Sequence, residues 1–316
     1  MKLLVLGGTR FVGYHLVEAA VARGHEVTIF HRGQSGDRPA GVEELLGDRR
    51  GDLAMLASRR WDAVLDTCGY VPAAVEATAG LRNADFYAFI SSIAVYEAPA
   101  APGTGEEAAL DEHVLEDPAT ETVDGTNYGA LKVQCERTIE QHYPNAALQV
   151  RPGIVVGPRD PTDRFTYWAA RVARGGDVLV PAPAERPVQF IDARDLAAWA
   201  IRAIEDRLTG GYNVVRPHIE MGELIDALRE TTGSDARPVW ATELEGVEVA
   251  ETFPFCLDPP DRTLLALSPA KAVAAGLTFR PLDQTIRETL AWRSDAPMKA
   301  GPASEEEARL LALQRG

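Results

Sequence analysis

The first 24 residues constrain the chain most. An apolar run, Met1 to Leu6, leads into the stretch "GGTRFVG" at Gly7 to Gly13, and from Tyr14 apolar residues recur at helical spacing until Gly24. That pattern predicts strand, tight turn and helix in succession. Such a turn can seat a diphosphate on the free N–H groups that open the helix, because glycines let the backbone come close. Gly7 and Gly13 keep the spacing of the outer glycines of a dinucleotide turn, while Arg10 stands at the middle position with Phe11 beside it. A glycine pattern alone is weak, so the rest of the chain has to decide.

Downstream, "HEVTIFHRG" reads as a second strand and "EELLGD" as a short third one, followed by the helical spacing of "DLAMLASRR". "WDAVLDTCG" and "DFYAFISSIAVY" read as buried strands, with "AAVEATAGLR" as the helix between them. Strands alternating with helices imply a parallel sheet, whose ligands bind at the carboxyl ends of the strands. The helix "YGALKVQCERTIEQHY" and the strand "ALQVRPGIVVGP" extend the alternation, and "FIDARDLA" leads into another helix. Later helical stretches, "RFTYWAARVARGG", "MGELIDALRETTG" and "LDQTIRETLAW", fit a smaller C-terminal part. In the tail, Ser304 and Glu307 have capping-box spacing.

With 316 residues the chain is long enough for roughly two domains. A net charge of −15 argues against a nucleic-acid partner, which usually meets a basic face. No run approaches a membrane span, so no membrane partner is expected. Cys68, Cys135 and Cys256 suggest neither a disulfide framework nor a zinc site, and a cytoplasmic location is expected. The six histidines form no metal-ligand pair, and no metal is expected. From Glu97 to Asn127 the chain carries nine acidic residues and no Lys or Arg, which predicts an exposed loop or lid, and the expectation for Glu97 to Asp124 is a mobile lid passing near the cleft.

Of the eight tyrosines, only Tyr128 has a lysine four residues on, Lys132, which puts both on one helix face. Ser91 and Ser92 end a strand upstream, at the sheet edge where a ligand is expected. The plainer alternatives are a solvated helix pair and a strand terminus. Taken with "GD" at Gly47 and Asp48, "SSIAVY" at Ser91 to Tyr96, "YGALK", "RPGIVVGP" and "FIDARDLA", these stretches resemble the extended short-chain dehydrogenase/reductase family in its epimerase/dehydratase-like branch. The resemblance spans roughly the first two-thirds of the chain.

It implies an α/β fold, a Rossmann-type doubly wound parallel sheet with a smaller C-terminal substrate domain. The expected division is discontinuous: residues 1–160 and 188–214 bind the nucleotide, while 161–187 and 215–316 bind the substrate. The resemblance also implies that Tyr128 is the general acid/base and that Ser92 holds the substrate oxygen, with Ser91 the lesser candidate. Lys132 would lower the Tyr128 pKa as a nearby cation and bind the nicotinamide ribose. Gly7, Thr9, Arg10, Phe11, Gly13, Arg32, Asp48, Cys68 and Lys132 would contact the cofactor.

Where the second strand ends, NAD-binding relatives carry an acid for the ribose hydroxyls, and here the chain reads Phe30, His31, Arg32. Arg32, with Arg10, suits a 2'-phosphate instead. NADP(H) is therefore the expected cofactor, with NAD(H) the alternative. Dehydratase relatives carry Asp-Glu after the position of Ser92, where this chain has Ile93 and Ala94. Many nucleotide-sugar epimerases carry an asparagine near Gly153 or Ile154 and an arginine at the position of Val188, from which Arg186 is displaced. The expectation is an oxidoreductase acting on a small organic substrate. Alternatives are an epimerase of a sugar or sugar nucleotide, and a non-catalytic RNA-binding or regulatory protein, a role some relatives with a similar "GGTRF" turn serve. A homodimer is left open.

Overall fold

The first half alternates strands and helices: β1 (Lys2–Leu6), α1 (Phe11–Ala22), β2 (Glu26–His31), β3 (Glu43–Leu46), α2 (Ala54–Ala57), β4 (Ala63–Asp66), α3 (Pro72–Ala79), β5 (Tyr87–Ile90), α4 (Tyr128–His142) and β6 (Ala147–Pro152). It continues with β7 (Ile154–Val156), α5 (Arg164–Ala173), β8 (Asp177–Val180), β9 (Pro187–Val188), β10 (Phe190–Asp192), α6 (Ala193–Glu205), β11 (Gly210–Val214), β12 (Ile219–Glu220) and α7 (Met221–Thr232). Then follow β13 (Arg237–Trp240), α8 (Val249–Thr252), α9 (Ala270–Ala274), α10 (Leu282–Trp292) and α11 (Ser304–Leu313). This computed structural model describes residues 1–314 except 35, 98–100, 114, 116–121, 242–243, 245, 257–264 and 294–295.

Seven strands form one parallel sheet in the order β11, β6, β5, β4, β1, β2, β3, the expected Rossmann-type arrangement. Both faces of β1 are buried, and its residues divide by parity. Leu3 and Val5 pack with Leu16, Val17 and Trp199 of α1 and α6, whereas Leu4 and Leu6 pack with Leu56, Val75 and Ile139 on the other face. Alternation of this kind sends successive side chains to opposite faces, so a strand covered on both reads as a continuous apolar run. Each such side chain contributes about 1.5–3 kcal/mol by leaving water.

A second core joins α5, β8, α7 and α10 around Phe165, Trp168, Leu224, Phe253 and Phe255. β10 connects the two cores: Phe190 belongs to the second and Ile191 to the first. One expected boundary shifts. Ala272 and Leu277, placed with the substrate part by sequence order, pack into the first core, where α9 lies beside β11.

Three local expectations change as well. The strand read as Asp85 to Tyr96 stops at Ile90, because Ser92 then caps a 3₁₀ turn at Ile93–Val95, its Oγ accepting from Ala94 N–H at 3.1 Å. The expected helix after Asp52 is the single turn α2. No capping box forms at α11, whose N-cap is Ala303; the Glu307 carboxylate instead accepts from Arg171 and from the Leu179 N–H.

The acidic segment is partly fixed. Glu97 N–H donates to Ala109 O at 3.0 Å, Ser268 N–H to Thr104 O at 2.9 Å, and Asn213 N–H to Glu106 Oε1 at 2.7 Å. These bonds tie the segment to β11 and to Ser268, and every residue of 101–113 is exposed or half-buried. The rest of the expected lid at 114 and 116–121 falls outside the described residues. Among the described residues of Glu97 to Asp124, only Val123 lines the cavity described below.

Candidate active site

The carboxyl ends of β1, β2, β4 and β5 open into one cavity of about 1170 Å³. Every residue that the sequence assigned to the site lines it: Gly7, Thr9, Arg10, Phe11, Gly13, Arg32, Asp48, Cys68, Ser92, Tyr128 and Lys132. So does Ser91, whose buried hydroxyl has no hydrogen-bond partner among the described residues.

At one end the glycine turn carries the chain from β1 into α1. Gly7 has φ of +95°, and a Cβ there would stand 2.5 Å from Thr67 Oγ1, so no other residue fits without displacement. Arg10 is the N-cap of α1, its side chain makes no capping hydrogen bond, and no acid lies in the first turn. The first N–H groups of α1 and the helix dipole suit an anion. Arg10 and Arg32 are exposed on the rim of the cavity. The β2 end is shaped by His31, whose Nδ1 accepts from Gly33 N–H at 3.1 Å, leaving Nε2–H to donate to Glu44 at 2.9 Å. Asp48 accepts from Arg50 N–H at 3.0 Å, which, with Arg50 and Arg32 nearby, holds its carboxyl below the usual range.

Beneath this end lies a buried network that sequence reasoning missed. Arg49 donates to both Asp66 oxygens at 2.9 and 2.7 Å, to Thr78 Oγ1 at 2.6 Å and to Ala74 O at 2.9 Å. Tyr87 completes it with a bond to Asp66 at 2.9 Å. Burial pushes the Asp66 carboxyl up, but Arg49 outweighs it and the carboxyl stays below its ordinary value. Cys68 sits at its edge, its N–H donating to Asp66 Oδ1 at 3.0 Å and its thiol pushed up to about 11, mainly by burial.

The catalytic candidates meet where α4 packs against the 3₁₀ turn. A Cβ at Gly129 would lie 2.2 Å from Ala94 O, so glycine after Tyr128 allows the helix to seat beside Ser92. Lys132, one turn on, is buried and donates to Gly69 O at 2.8 Å and Ile90 O at 2.9 Å. Its ammonium lies 5.8 Å from the Tyr128 ring centre, and burial lowers its pKa to about 8. The expected depression of the Tyr128 pKa is not what the structure shows. Burial raises the phenol to about 12, while the neighbouring Ser92 hydroxyl and Arg164 pull it down.

The other wall of the cavity was not read from sequence. Ala250, Pro254, Phe255 and Leu265 supply apolar surface, and Tyr70 and Arg164 supply polar groups. Arg186 does not line the cavity, and Val188, at the position where many nucleotide-sugar epimerases carry arginine, is buried in β9. The one signal for Arg164 is a cation at the first position of a helix, where the helix dipole does not favour it.

A Rossmann-type sheet with Ser, Tyr and Lys gathered at its carboxyl edge defines an enzyme of the short-chain dehydrogenase/reductase type. Residues 3–84 and 71–215 match the model of the NAD-dependent epimerase/dehydratase family, and the chain belongs to that family. Solved structures share its fold. The UDP-glucose 4-epimerase of Thermotoga maritima, solved with UDP-glucose, is 18% identical with a TM-score of 0.64, covering 92% of this chain and 98% of that one. The same enzyme of Thermus thermophilus, solved with NAD, is 22% identical with a TM-score of 0.61 and the same coverage. The UDP-Glc/GlcNAc 4-epimerase of Campylobacter jejuni is 15% identical with a TM-score of 0.69, again at 92% and 98%. Among curated proteins, the chloroplast stem-loop binding protein of 41 kDa b from Arabidopsis thaliana is 26% identical over 214 residues, 62% of this chain. The match spans 53% of that relative, about half its length.

Proposed function

We propose that the protein is a nicotinamide-dependent oxidoreductase that reduces a carbonyl or oxidises an alcohol on a small organic substrate, with NADP(H) preferred. The observation that carries this reading is the meeting of Ser92, Tyr128 and Lys132 at one end of the cavity that the glycine turn opens at the other. The cofactor fits the residues present: Gly7 leaves room for a close backbone approach, the N-cap side chain of α1 makes no capping bond, and Arg10 and Arg32 stand at the rim. Bound there, the nicotinamide supplies or accepts the hydride. Tyr128 gives its proton to the substrate oxygen in reduction and takes it back in oxidation, Ser92 orients that oxygen, and Lys132 brings a positive charge below the phenol. Arg32, Arg10 and the lack of an acid at the end of β2 support NADP(H). The free thiols of Cys68 and Cys135 suit the reducing cytoplasm.

Family membership favours a second reading, an epimerase that oxidises and re-reduces its substrate while keeping its nucleotide. Val188 and the displaced Arg186 count against a diphosphate-linked sugar for it. The stem-loop-binding relative raises a third reading, which the net charge of −15 and the complete Ser92, Tyr128 and Lys132 set disfavour. The separating experiment is to denature purified protein and record the absorbance of released nucleotide, then follow NADPH at 340 nm with a panel of carbonyl compounds. Stoichiometric consumption of NADPH by protein purified without nucleotide supports the oxidoreductase. Retained nucleotide with no net consumption supports the epimerase.

A further inference from the structure

Arg164 lines the cavity near Tyr128 and, although the charge of Asp160 acts on it, makes no ion pair among the described residues. It is the first residue of α5, whose first turn contains no acid. A positive charge there meets the positive end of the helix dipole, so the position does nothing for the helix. Its Nε donates to Thr162 Oγ1 at 3.1 Å, and the Thr162 hydroxyl in turn donates to Asp160 Oδ1 at 2.7 Å. Among the described residues its two terminal amino groups have no hydrogen-bond or ion-pair partner.

Each of the two neighbouring acids is held by other groups at one oxygen, while the second Asp160 oxygen, Oδ2, is buried with no hydrogen-bond partner among the described residues. Asp163 Oδ2 accepts from Lys299 N–H at 3.0 Å, and Asp160 Oδ1 also accepts from Thr162 N–H at 2.8 Å. Burial raises the Asp160 carboxyl above its usual range, which weakens it as a counter-charge. Tyr128 lines the same cavity and is close enough for the two charges to act on each other, and Pro254, Phe255 and Leu265 add apolar surface to the lining. A half-buried guanidinium in such a lining is costly unless an anion meets it. Held by Nε alone, its terminal groups form a fork that matches a carboxylate or phosphate.

We propose that Arg164 receives an oxyanion of the substrate whose reacting oxygen sits at Tyr128, which makes the substrate a small oxo or hydroxy compound carrying a carboxylate or phosphate. The placement beside Tyr128 rests on the hydride-transfer reading, but the anion site does not. It is also separate from the phosphate contacts assigned to Arg10 and Arg32 at the glycine turn.

The test is calorimetric titration of the full chain, with and without saturating NADP⁺, using 2-oxobutyrate, dihydroxyacetone phosphate and the neutral ester methyl 2-oxobutyrate. At least one anion should bind about ten- to a hundredfold more tightly than the ester, the worth of a charge-assisted hydrogen bond. Preference for 2-oxobutyrate identifies a carboxylate, and preference for dihydroxyacetone phosphate a phosphate. Arg164→Gln should erase that margin and leave ester binding unchanged, with an unaltered melting temperature showing that the fold survives. Thr162→Val, which frees Nε but keeps the charge, and Arg164→Lys, which loses the fork, should each lose part of the margin. No margin in the wild type, a margin that survives Arg164→Gln, or full retention in both milder variants overturns the proposal. Loss of nucleotide binding alone, with the anion margin intact, would sink the hydride-transfer reading and leave this one standing.

Discussion

Two arginines that line the cavity behave differently. Arg49, under the nucleotide end, spends its guanidinium on Asp66, Thr78 and a carbonyl, and belongs to the scaffold. Arg164, on the substrate wall, has one bond to Thr162 and turns the rest of its fork to the cavity. The contrast extends to the ends themselves. One is made from strand termini and backbone donors of a rigid sheet, and the other from side chains of α5 and of the segment around Pro254. A buried charge with a full set of partners fixes the structure, whereas one left open is available to a ligand.

The sharpest break between the two ends comes at Tyr128. Tyr128→Phe removes a hydroxyl from the reaction without touching the glycine turn or Arg49. Turnover should fall by roughly 10²- to 10⁴-fold, the usual worth of a general acid/base, with nucleotide affinity unchanged. Steady-state rates and a nucleotide titration check it, and preserved turnover would move the chemistry elsewhere. Arg49→Met should do the reverse. It leaves Asp66 buried without its cation, at a cost of about 3–5 kcal/mol in folding stability, measured by urea denaturation. The paired Asp66 carboxyl stays ionised below its unfolded pKa, so its contribution is present above about pH 4 and lost as pH falls further. Arg49→Met should therefore flatten the acid limb of the stability curve.

The same division explains what could be read from the sequence. Gly7, Gly13 and the acid-free end of β2 work through backbone geometry at fixed spacing, so a linear pattern reports them. Tyr128 and Lys132 lie one helical turn apart and are visible for the same reason. Arg49 and Asp66 pair across two strand ends, and no periodicity announces a partner 17 residues away. Glu307 has capping-box spacing, yet Arg171 of α5 takes its carboxylate, because a buried cation outbids a local cap. The substrate wall escaped because its residues, from Pro161 to Leu265, come together only through the second core.

A smaller effect is expected at the rim. Arg32→Asp places an acceptor beside the ribose and repels a 2'-phosphate, so preference should swing toward NAD(H) by about ten- to a hundredfold. Exposed as it is, Arg32 should contribute little to stability, and the melting temperature should stay within error. Both nucleotides must be titrated at one salt concentration, because phosphate contacts weaken with ionic strength. A preference unmoved by the substitution would show that Arg32 faces solvent.

Lys132 stands between the two ends and gives the smallest effect. Burial lowers its pKa to about 8, so its charge disappears as pH rises through that value, while Tyr128, raised to about 12, remains protonated. Carbonyl reduction, which uses Tyr128 as the acid, should therefore stay level below about pH 8 and fall as Lys132 deprotonates, by roughly tenfold between pH 7 and 9 if only the charged form is active. Stability moves the other way. Between pH 8 and 10.5 the unfolded lysine holds a proton that the folded one has released, and stability rises with pH wherever the unfolded state binds more protons. Cys68 and Cys135, whose thiols burial pushes up to about 11 and 12, act in the opposite sense over part of this range. They are present in both wild type and Lys132→Met, so most of their effect cancels in the difference, apart from the share of each thiol's shift that the Lys132 charge itself lowers. From pH 8 to 9 the wild type should gain about 1 kcal/mol over Lys132→Met, read by urea denaturation at each pH. A difference that stays flat would mean that Lys132 keeps its proton well above pH 9, and the fall in rate should then vanish with it.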